Sequence, residues 1–469
     1  MTTQPAAAAT ALKVIQVCSV APLQEPSLST VVVPTSLTLT FFDLLWLRFP
    51  PVERLFFYSF PHPTSSFLHS LLPTLQHSLS LTLHHFLPFA GTLTWPSHSP
   101  KPIINYTPGD AVSFTVAESN QNFNNLTSRL CEASQRHRLI PHLTASHDKA
   151  SVLALQVTVF PNAGFCIGIT THHAAFDGKS STMFIKSWAY TCSNLIQNNN
   201  TPLFLLPQHL TPFFDRSVIR DPSGIAEAYV DAWQESSGPN NRSLKVWESF
   251  TEIPSDGCKG VFELTPSQIQ KLKQHAKSKL MKTKDFSFST FAVTCAYVLT
   301  CLVKAKQLEE DDVGFVFSVD CRSRLNTPIP ATYFGNCVAG QKVVAVTKNL
   351  VGISDGFISA LEGISEALNI VKGEGVLSGA ETWVSLMLER GESVPRLFSI
   401  AGSPLFEVYG TDFGWGRPKK VDMTSIDGTG AFSLSESRDN SGGIEIGLML
   451  CQREMEAFST LFVGGHESF

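Results

Sequence analysis

Phe165-Cys166-Ile167-Gly168-Ile169-Thr170-Thr171-His172-His173-Ala174-Ala175-Phe176-Asp177-Gly178 joins an apolar run to a His-x-x-x-Asp-Gly turn, and an amphipathic pattern follows. The run predicts a strand over 165–171 whose side chains alternate between two faces. Phe165, Ile167, Ile169, Thr171 and His173 share one face, and Cys166, Gly168, Thr170 and His172 the other. Adjacent histidines on opposite faces do different jobs, and the alternation makes His173 the inward one. A half-buried imidazole with an ordinary pKa of about 6.5 suits a general base at neutral pH. Asp177 stands where the helix begins, and two roles are open to it. It can orient His173 as the second member of a dyad, or cap the helix and pair with an arginine.

Working outward, Ser151 to Phe160 reads as a second strand, joined to the first by Pro161-Asn162-Ala163-Gly164 as a hairpin. Beyond Gly178, Phe184, Trp188, Cys192 and Leu195 recur as one face of a helix. Leu12 to Val20 alternates as a strand, and Phe67 to Phe86 carries leucines at helical spacing up to a stop at Leu87-Pro88-Phe89-Ala90-Gly91. Residues 196–241, with Asn198-Asn199-Asn200, many prolines and Ser236-Ser237-Gly238-Pro239, read as a long loop. We expect an N-terminal domain over 1–205, a crossover loop over 206–240 and a C-terminal domain over 241–469. In the second half, strands are expected at Gly260 to Leu264, Val313 to Val319 and Phe406 to Tyr409. A hairpin is expected from Ala431 to Glu436 and Ile444 to Leu450. Helices are expected over 265–280, 291–306, 354–370, 378–390 and 452–462. Without strict βαβ alternation, this is an α+β chain with mixed sheets.

A length of 469 residues exceeds what one core supports, so two domains fit. A net charge of −5 leaves no basic surplus for phosphates and argues against nucleic-acid binding. The ten cysteines show no C-x-x-C pair and sit mostly in apolar runs, a pattern of reduced thiols rather than a disulfide framework or zinc site. Met1 to Thr10 lacks the basic start of a secretory signal, and Phe291 to Val303 is too short for a membrane span. A cytoplasmic location is therefore expected.

A second constellation, Thr411-Asp412-Phe413-Gly414-Trp415-Gly416-Arg417-Pro418, places two glycines around a tryptophan, a pattern that permits positive φ or close backbone approach. Together, His173-x-x-x-Asp177-Gly178 and Asp412-Phe413-Gly414-Trp415-Gly416 resemble the two signature motifs of the plant BAHD acyltransferases. Leu39-Thr40-Phe41-Phe42-Asp43, Phe86 to Gly91, Ser289-Thr290-Phe291 and Tyr333-Phe334-Gly335-Asn336-Cys337 extend the similarity along the chain. The last string resembles the subgroup that malonylates flavonoid and anthocyanin glucosides.

The resemblance implies two chloramphenicol-acetyltransferase-like domains with a solvent channel between them, and a monomer. It implies direct transfer from acyl-CoA to an acceptor hydroxyl, with His173 as base and no acyl-enzyme. It makes Asp177 a structural ion-pair partner of Arg322 or, failing it, Arg324, and Gly178 part of the same motif. Asp412 is marked as needed for activity, either in the chemistry or, with Phe413, Gly414, Trp415 and Gly416, as a turn. Ser289 and Thr290 at a helix start, with Lys271 or Lys273, are candidates for CoA. Malonyl-CoA is the implied co-substrate, with no permanently bound cofactor or metal. The implied acceptor is the 6″-hydroxyl of a flavonoid or isoflavone 7-O-glucoside. A malonyl donor needs a cation for its free carboxylate, and Lys179 is a candidate. A hydroxycinnamoyl donor, an anthocyanin acceptor and a non-catalytic phenolic-binding protein are the alternatives.

Gly352-Ile353-Ser354-Asp355-Gly356 matches a nucleophile-elbow pattern, but only His466 follows it and no His-Gly-Gly-type loop precedes it. Ser354 and Asp355 read better as helix caps. Strand alternation also points His172 and His173 apart, which disfavours a metal site with Asp177.

Overall fold

The computed structural model describes residues 12–23, 33–199, 205–236, 238–247, 253–280, 288–309, 312–351, 355–373, 375–389 and 396–465. The Ser354 and His466 positions of the nucleophile-elbow pattern lie outside these residues.

Three sheets organise the chain. The first has six strands in the order Leu12–Val20, Val112–Ser119, Leu153–Phe160, Gly164–Thr171, Val52–Ser59 and Lys420–Met423. The second has seven: Val338–Val346, Asp312–Asp320, Arg396–Ala401, Phe432–Glu436, Ile444–Cys451, Gly257–Leu264 and Leu130–Glu132. The third has four strands, in the order Ser36–Thr38, Ile103–Asn105, Thr92–Thr94 and Lys149–Ser151. Three pairings in the large sheets are parallel and the others antiparallel, so both are mixed, as the α+β reading requires.

The Gly164–Thr171 strand lies between Leu153–Phe160 and Val52–Ser59, antiparallel to both. Asn162, at φ 61°, turns the hairpin in the left-handed region that asparagine tolerates. Every residue of this strand and of its hairpin partner is buried. The helix Gly178–Gln197 then packs back on the sheet, with Phe184, Trp188, Cys192 and Leu195 buried as their spacing requires.

The two large sheets exchange edge strands. Lys420–Met423, from the C-terminal half, pairs with Val52–Ser59, and Leu130–Glu132, from the N-terminal half, pairs with Gly257–Leu264. Buried charges hold this exchange. The Arg136 guanidinium meets Asp422 and reaches Asp427 at 3.1 Å, while Lys259 Nζ reaches Asp427 at 2.6 Å and Asp422 at 3.4 Å. Lys420 Nζ donates to the carbonyls of Leu126 and Ser128. Removing one member of such a buried set costs about 3–5 kcal/mol because its partners stay charged in a low dielectric.

Two expectations change. The 206–240 crossover is not all loop: Ile225–Glu235 is a helix that buries Ile225, Ala226, Tyr229 and Trp233. Those apolar residues recur at helical spacing, a signal the flanking prolines and asparagines outweighed. Trp233 Nε1 donates to the Leu44 carbonyl at 2.8 Å, so the crossover docks on the segment leading to Trp46. Phe406 to Tyr409 is not a strand. Glu407 adopts φ 50°, which breaks the segment into 3₁₀ turns at Pro404–Phe406 and Val408–Gly410.

Candidate active site

The strand ends at Thr171, and residues 172–177 form the turn into the Gly178–Gln197 helix. His172 is fully buried; its main-chain N–H donates to the Val152 carbonyl and its Nδ1 accepts from Ala174 N–H at 3.3 Å. His173 is half-buried and lies flat against Trp46, ring centroids 4.1 Å apart and planes 7° from parallel. Phe49 meets the imidazole edge-on at 6.2 Å and itself packs against Trp247 at 5.4 Å. Burial pushes His173 down to about 4, against the raising influence of its own carbonyl and the Asp177 carboxylate. Burial, with the neighbouring His173, pushes His172 to about 4 as well. Both rings are therefore neutral at pH 7, the form in which an imidazole accepts a proton.

The turn is clamped from three distant segments. Asn336 Nδ2 donates to the His173 carbonyl at 3.0 Å and to Asp43 Oδ1 at 3.1 Å, and Asn336 N–H donates to the same oxygen at 2.9 Å. Asp43 Oδ2 in turn accepts from the Thr40 main chain and hydroxyl. The Arg216 guanidinium stands 3.6 Å from Asp43 and donates to the Tyr333 hydroxyl at 2.5 Å. The strings Leu39 to Asp43 and Tyr333 to Cys337 thus meet behind the histidine. Sequence reasoning assigned Asp43, Trp46, Arg216 and Asn336 no role, because nothing in one sequence shows that residues some 290 positions apart touch.

Asp177 points away from the imidazole. Its Oδ1 caps the helix by accepting from Ser180 N–H at 2.8 Å, and its Oδ2 accepts from Cys337 N–H at 3.1 Å. Arg322 Nη2 lies 2.8 Å from that second oxygen, with both side chains almost wholly buried. Arg322 also holds Asp320 at 3.0 Å and donates to the carbonyls of Tyr333 and Gly335. The two carboxylates hold its guanidinium well above the usual arginine range despite burial. Arg324 instead donates to the Asp320 carbonyl from an exposed position.

The structure does not bring Asp412 to His173. Asp412 is exposed, and its Oδ1 accepts from Gly414 N–H at 2.7 Å and Gly416 N–H at 2.9 Å. These bonds close a turn in which Gly414 and Gly416 adopt φ 102° and 98°, values open to glycine. Phe413 is buried edge-on against Trp188 at 5.0 Å, and Trp415 meets Phe165 at 5.9 Å. A Cβ on Gly414 would lie 2.7 Å from Ile196 Cδ1, near the far end of the helix that His173 precedes. Phe165 is six residues before Thr171, roughly 20 Å along the strand. The motif packs against the distal ends of the strand and helix, and of the two roles open to Asp412 the geometry fits the turn, where its carboxylate is spent on Gly414 and Gly416.

Lys273 Nζ donates to Thr290 Oγ1 at 2.9 Å, so these two are brought together at a helix start, and Ser289 Oγ caps that helix by accepting from Ala292 N–H. Lys271 is exposed. Lys179 Nζ is paired with Asp320 at 3.0 Å. Asp355, next to the nucleophile-elbow serine, contacts His275 Nε2. Among the described residues no cluster of three histidine, cysteine or acidic side chains is placed to hold a metal, and no helix is long and apolar enough to cross a membrane.

A family model described as the Transferase family matches residues 25–462. The chain belongs to this family, the BAHD acyltransferases. It is 41% identical to phenolic glucoside malonyltransferase 1 of Arabidopsis thaliana, over 97% of this chain and 98% of that protein. It is 40% identical to malonyl-CoA:anthocyanidin 5-O-glucoside-6''-O-malonyltransferase of the same plant, over 97% and 99%. Agmatine coumaroyltransferase, also from Arabidopsis thaliana, is 38% identical over 96% and 98%. The crystal structure of vinorine synthase superposes with a TM-score of 0.68 at 20% identity, covering 97% of this chain and 98% of that one, which shows the shared fold. BAHD membership accounts for the order of the two motifs, and the structure gives them separate duties at opposite ends of one strand-turn-helix unit.

Proposed function

We propose that this BAHD protein transfers the malonyl group of malonyl-CoA to a sugar hydroxyl of a phenolic glucoside, with His173 as the general base. The observation that carries the chemistry is a neutral imidazole fixed at the strand-to-helix turn, stacked on Trp46 and clamped at its own carbonyl by Asn336. In this reading His173 takes the proton from the acceptor hydroxyl as its oxygen attacks the thioester carbonyl. The C–S bond breaks as the tetrahedral intermediate collapses, and the imidazolium returns the proton to the CoA thiolate. Ester and free CoA account for every atom, so no covalent acyl-enzyme is needed.

Asp177 and Arg322 hold the turn, and the segment from Asp412 to Gly416 holds the distal end of the same helix. Lys273 and Thr290 are assigned to the phosphate or pantetheine part of CoA, with Ser289 as the cap of that helix. The malonyl donor is supported by the names of two relatives near 40% identity. The 6″-hydroxyl of a flavonoid or isoflavone 7-O-glucoside is the acceptor we favour, with no resident cofactor and a monomeric, cytoplasmic protein. A hydroxycinnamoyl donor is the second reading, favoured by the agmatine coumaroyltransferase relative. Purified protein assayed with malonyl-, acetyl- and coumaroyl-CoA against flavonoid, isoflavone and anthocyanin glucosides and agmatine tests both. A malonyl ester of a glucoside as main product supports the first, and a coumaroyl product replaces it with the second.

A further inference from the structure

Taking the proton of the acceptor hydroxyl turns His173 into an imidazolium, and the step is easier where that cation is met by something electron-rich. Burial opposes the charge and pushes the ring down to about 4. The charged groups around the turn are already engaged. Asp177 is bound by Arg322 at 2.8 Å and by Cys337 N–H. Asp43 accepts from Thr40 and Asn336 and faces Arg216 at 3.6 Å. Lys179 and Asp320 hold each other, and the His173 carbonyl accepts from Asn336 Nδ2 at 3.0 Å. His172 is itself neutral at pH 7, and the Arg48 guanidinium is held by the carbonyls of Trp233, Asn241 and Ser243 and the Ser236 hydroxyl.

The Trp46 indole covers a face of the imidazole instead, with centroids 4.1 Å apart and planes 7° from parallel. A cation over an aromatic face within about 6 Å of its centroid is attracted by the ring quadrupole, most strongly for tryptophan. Phe49, the other ring at the histidine, stands at 6.2 Å and 64°, edge-on and at the limit of that range. A parallel stack also leaves the ring nitrogens open, because their lone pair and N–H lie in the ring plane. The indole is fixed by its surroundings. Trp46 N–H donates to the Asp43 carbonyl at 3.1 Å, its own carbonyl accepts from Phe49 N–H at 3.2 Å, and the Phe49 ring packs against the indole at 4.9 Å. Trp247 N–H, from the crossover, donates to the Arg48 carbonyl at 2.8 Å and closes the segment from the other side. The buried Nε1–H of Trp46 has no acceptor among the described residues. A buried indole usually finds one, so the face turned to His173, and not the N–H, accounts for where this ring stands.

We propose that Trp46 acts through His173 as the π partner of the imidazolium, favouring proton transfer by a cation–π attraction that exists only while the ring is charged. This rests on the reading of His173 as general base. Packing alone shields the ring equally before and during the reaction. The cation–π attraction grows as the proton arrives, so it shows in the rate of the chemical step and not in KM.

The test places mono-, di- and trifluorotryptophan at position 46 alone, by suppression of a nonsense codon. Fluorine withdraws π density from the indole with little change in its size, so burial of the histidine is kept. The single-turnover rate of ester formation, with enzyme in excess over malonyl-CoA and glucoside saturating, is read beside both KM values and the melting temperature. The rate is expected to fall with each fluorine, on the order of tenfold at three, with both KM values within about twofold. Trp46→Phe, which keeps a weaker face, is expected to lose about threefold, and Trp46→Leu, which keeps none, about tenfold or more. A rate unchanged across the fluorinated series overturns the role of Trp46 and leaves His173 standing as the base. A loss confined to KM sets the indole against a substrate and overturns it too. His173→Ala in the same assay separates the two readings: if it retains turnover, the base assignment falls and this one with it.

Discussion

Replacing Asp177 by asparagine separates the two roles that its place in the motif allows. Asparagine retains Oδ1, so the cap to Ser180 N–H survives. The other oxygen becomes an amide that faces two donors, Arg322 Nη2 at 2.8 Å and Cys337 N–H at 3.1 Å. Breaking a buried ion pair costs about 3–5 kcal/mol. Arg322 keeps Asp320 and two carbonyls, so the lower end applies, near 3 kcal/mol, with about 1 kcal/mol more for the orphaned amide of Cys337. With an unfolding entropy of about 2.1 cal/mol/K per residue, a chain of 469 residues shifts by about 1 °C per kcal/mol, so the melting temperature falls on the order of 4 °C. Asp177→Ala also loses the cap and falls further by about 1 kcal/mol. Melting followed by circular dichroism, beside initial rates taken well below the variant's transition, gives the comparison. The expected result is a melting temperature lower by a few degrees, with kcat within about tenfold of wild type and the acid limb of its pH profile within about half a unit. Unchanged melting with kcat down a hundredfold and a displaced acid limb would refute the reasoning and restore a His173–Asp177 dyad.

Three more outcomes are expected. His172 and His173 titrate near 4 in the fold and near about 6.5 unfolded, so between those values the unfolded chain binds more protons. The stability from keeping both rings neutral is complete above pH 6.5 and is lost as pH falls through 4; denaturant midpoints from pH 7.5 to 4.5 check this, and kcat/KM should stay flat down to about pH 5. Asn336→Ala removes the side-chain donor shared by the His173 carbonyl and Asp43 and keeps the main-chain N–H to Asp43, so kcat should fall about a hundredfold while KM for malonyl-CoA changes little, as expected when a base is misplaced by about 1 Å. Lys273→Ala should raise KM for acyl-CoA by about three- to tenfold with kcat retained, since a partly solvated lysine on a phosphate contributes about 1 kcal/mol; an unchanged KM returns Lys273 to a plain contact with Thr290.

The sequence was informative where a local pattern carries the structure. The histidine hairpin, the helix after Gly178 and the buried helix at 290–306 follow from periodicity and turn residues, and their bounds shift by only a residue or two. Alternation was a weaker guide to the two histidines. Both faces of Gly164–Thr171 are buried, and the strand stops before His172, so His173 owes its setting to the turn and to Trp46. The crossover helix was masked by its loop-forming flanks, and Glu407 broke a segment that reads as extended. The clamp behind His173 and the exchanged edge strands depend on contacts across hundreds of residues, which no local pattern encodes. Asp412 shows the opposite hazard: its motif is conspicuous in the sequence, yet its carboxylate is used within its own turn.

The most direct test of the account is the turnover of His173→Ala with malonyl-CoA and a phenolic glucoside, read beside its melting temperature. Loss of at least about a thousandfold in kcat, in a protein that melts as wild type does, is the predicted result for removal of the base. A folded His173→Ala protein that retains a tenth or more of wild-type turnover would contradict it.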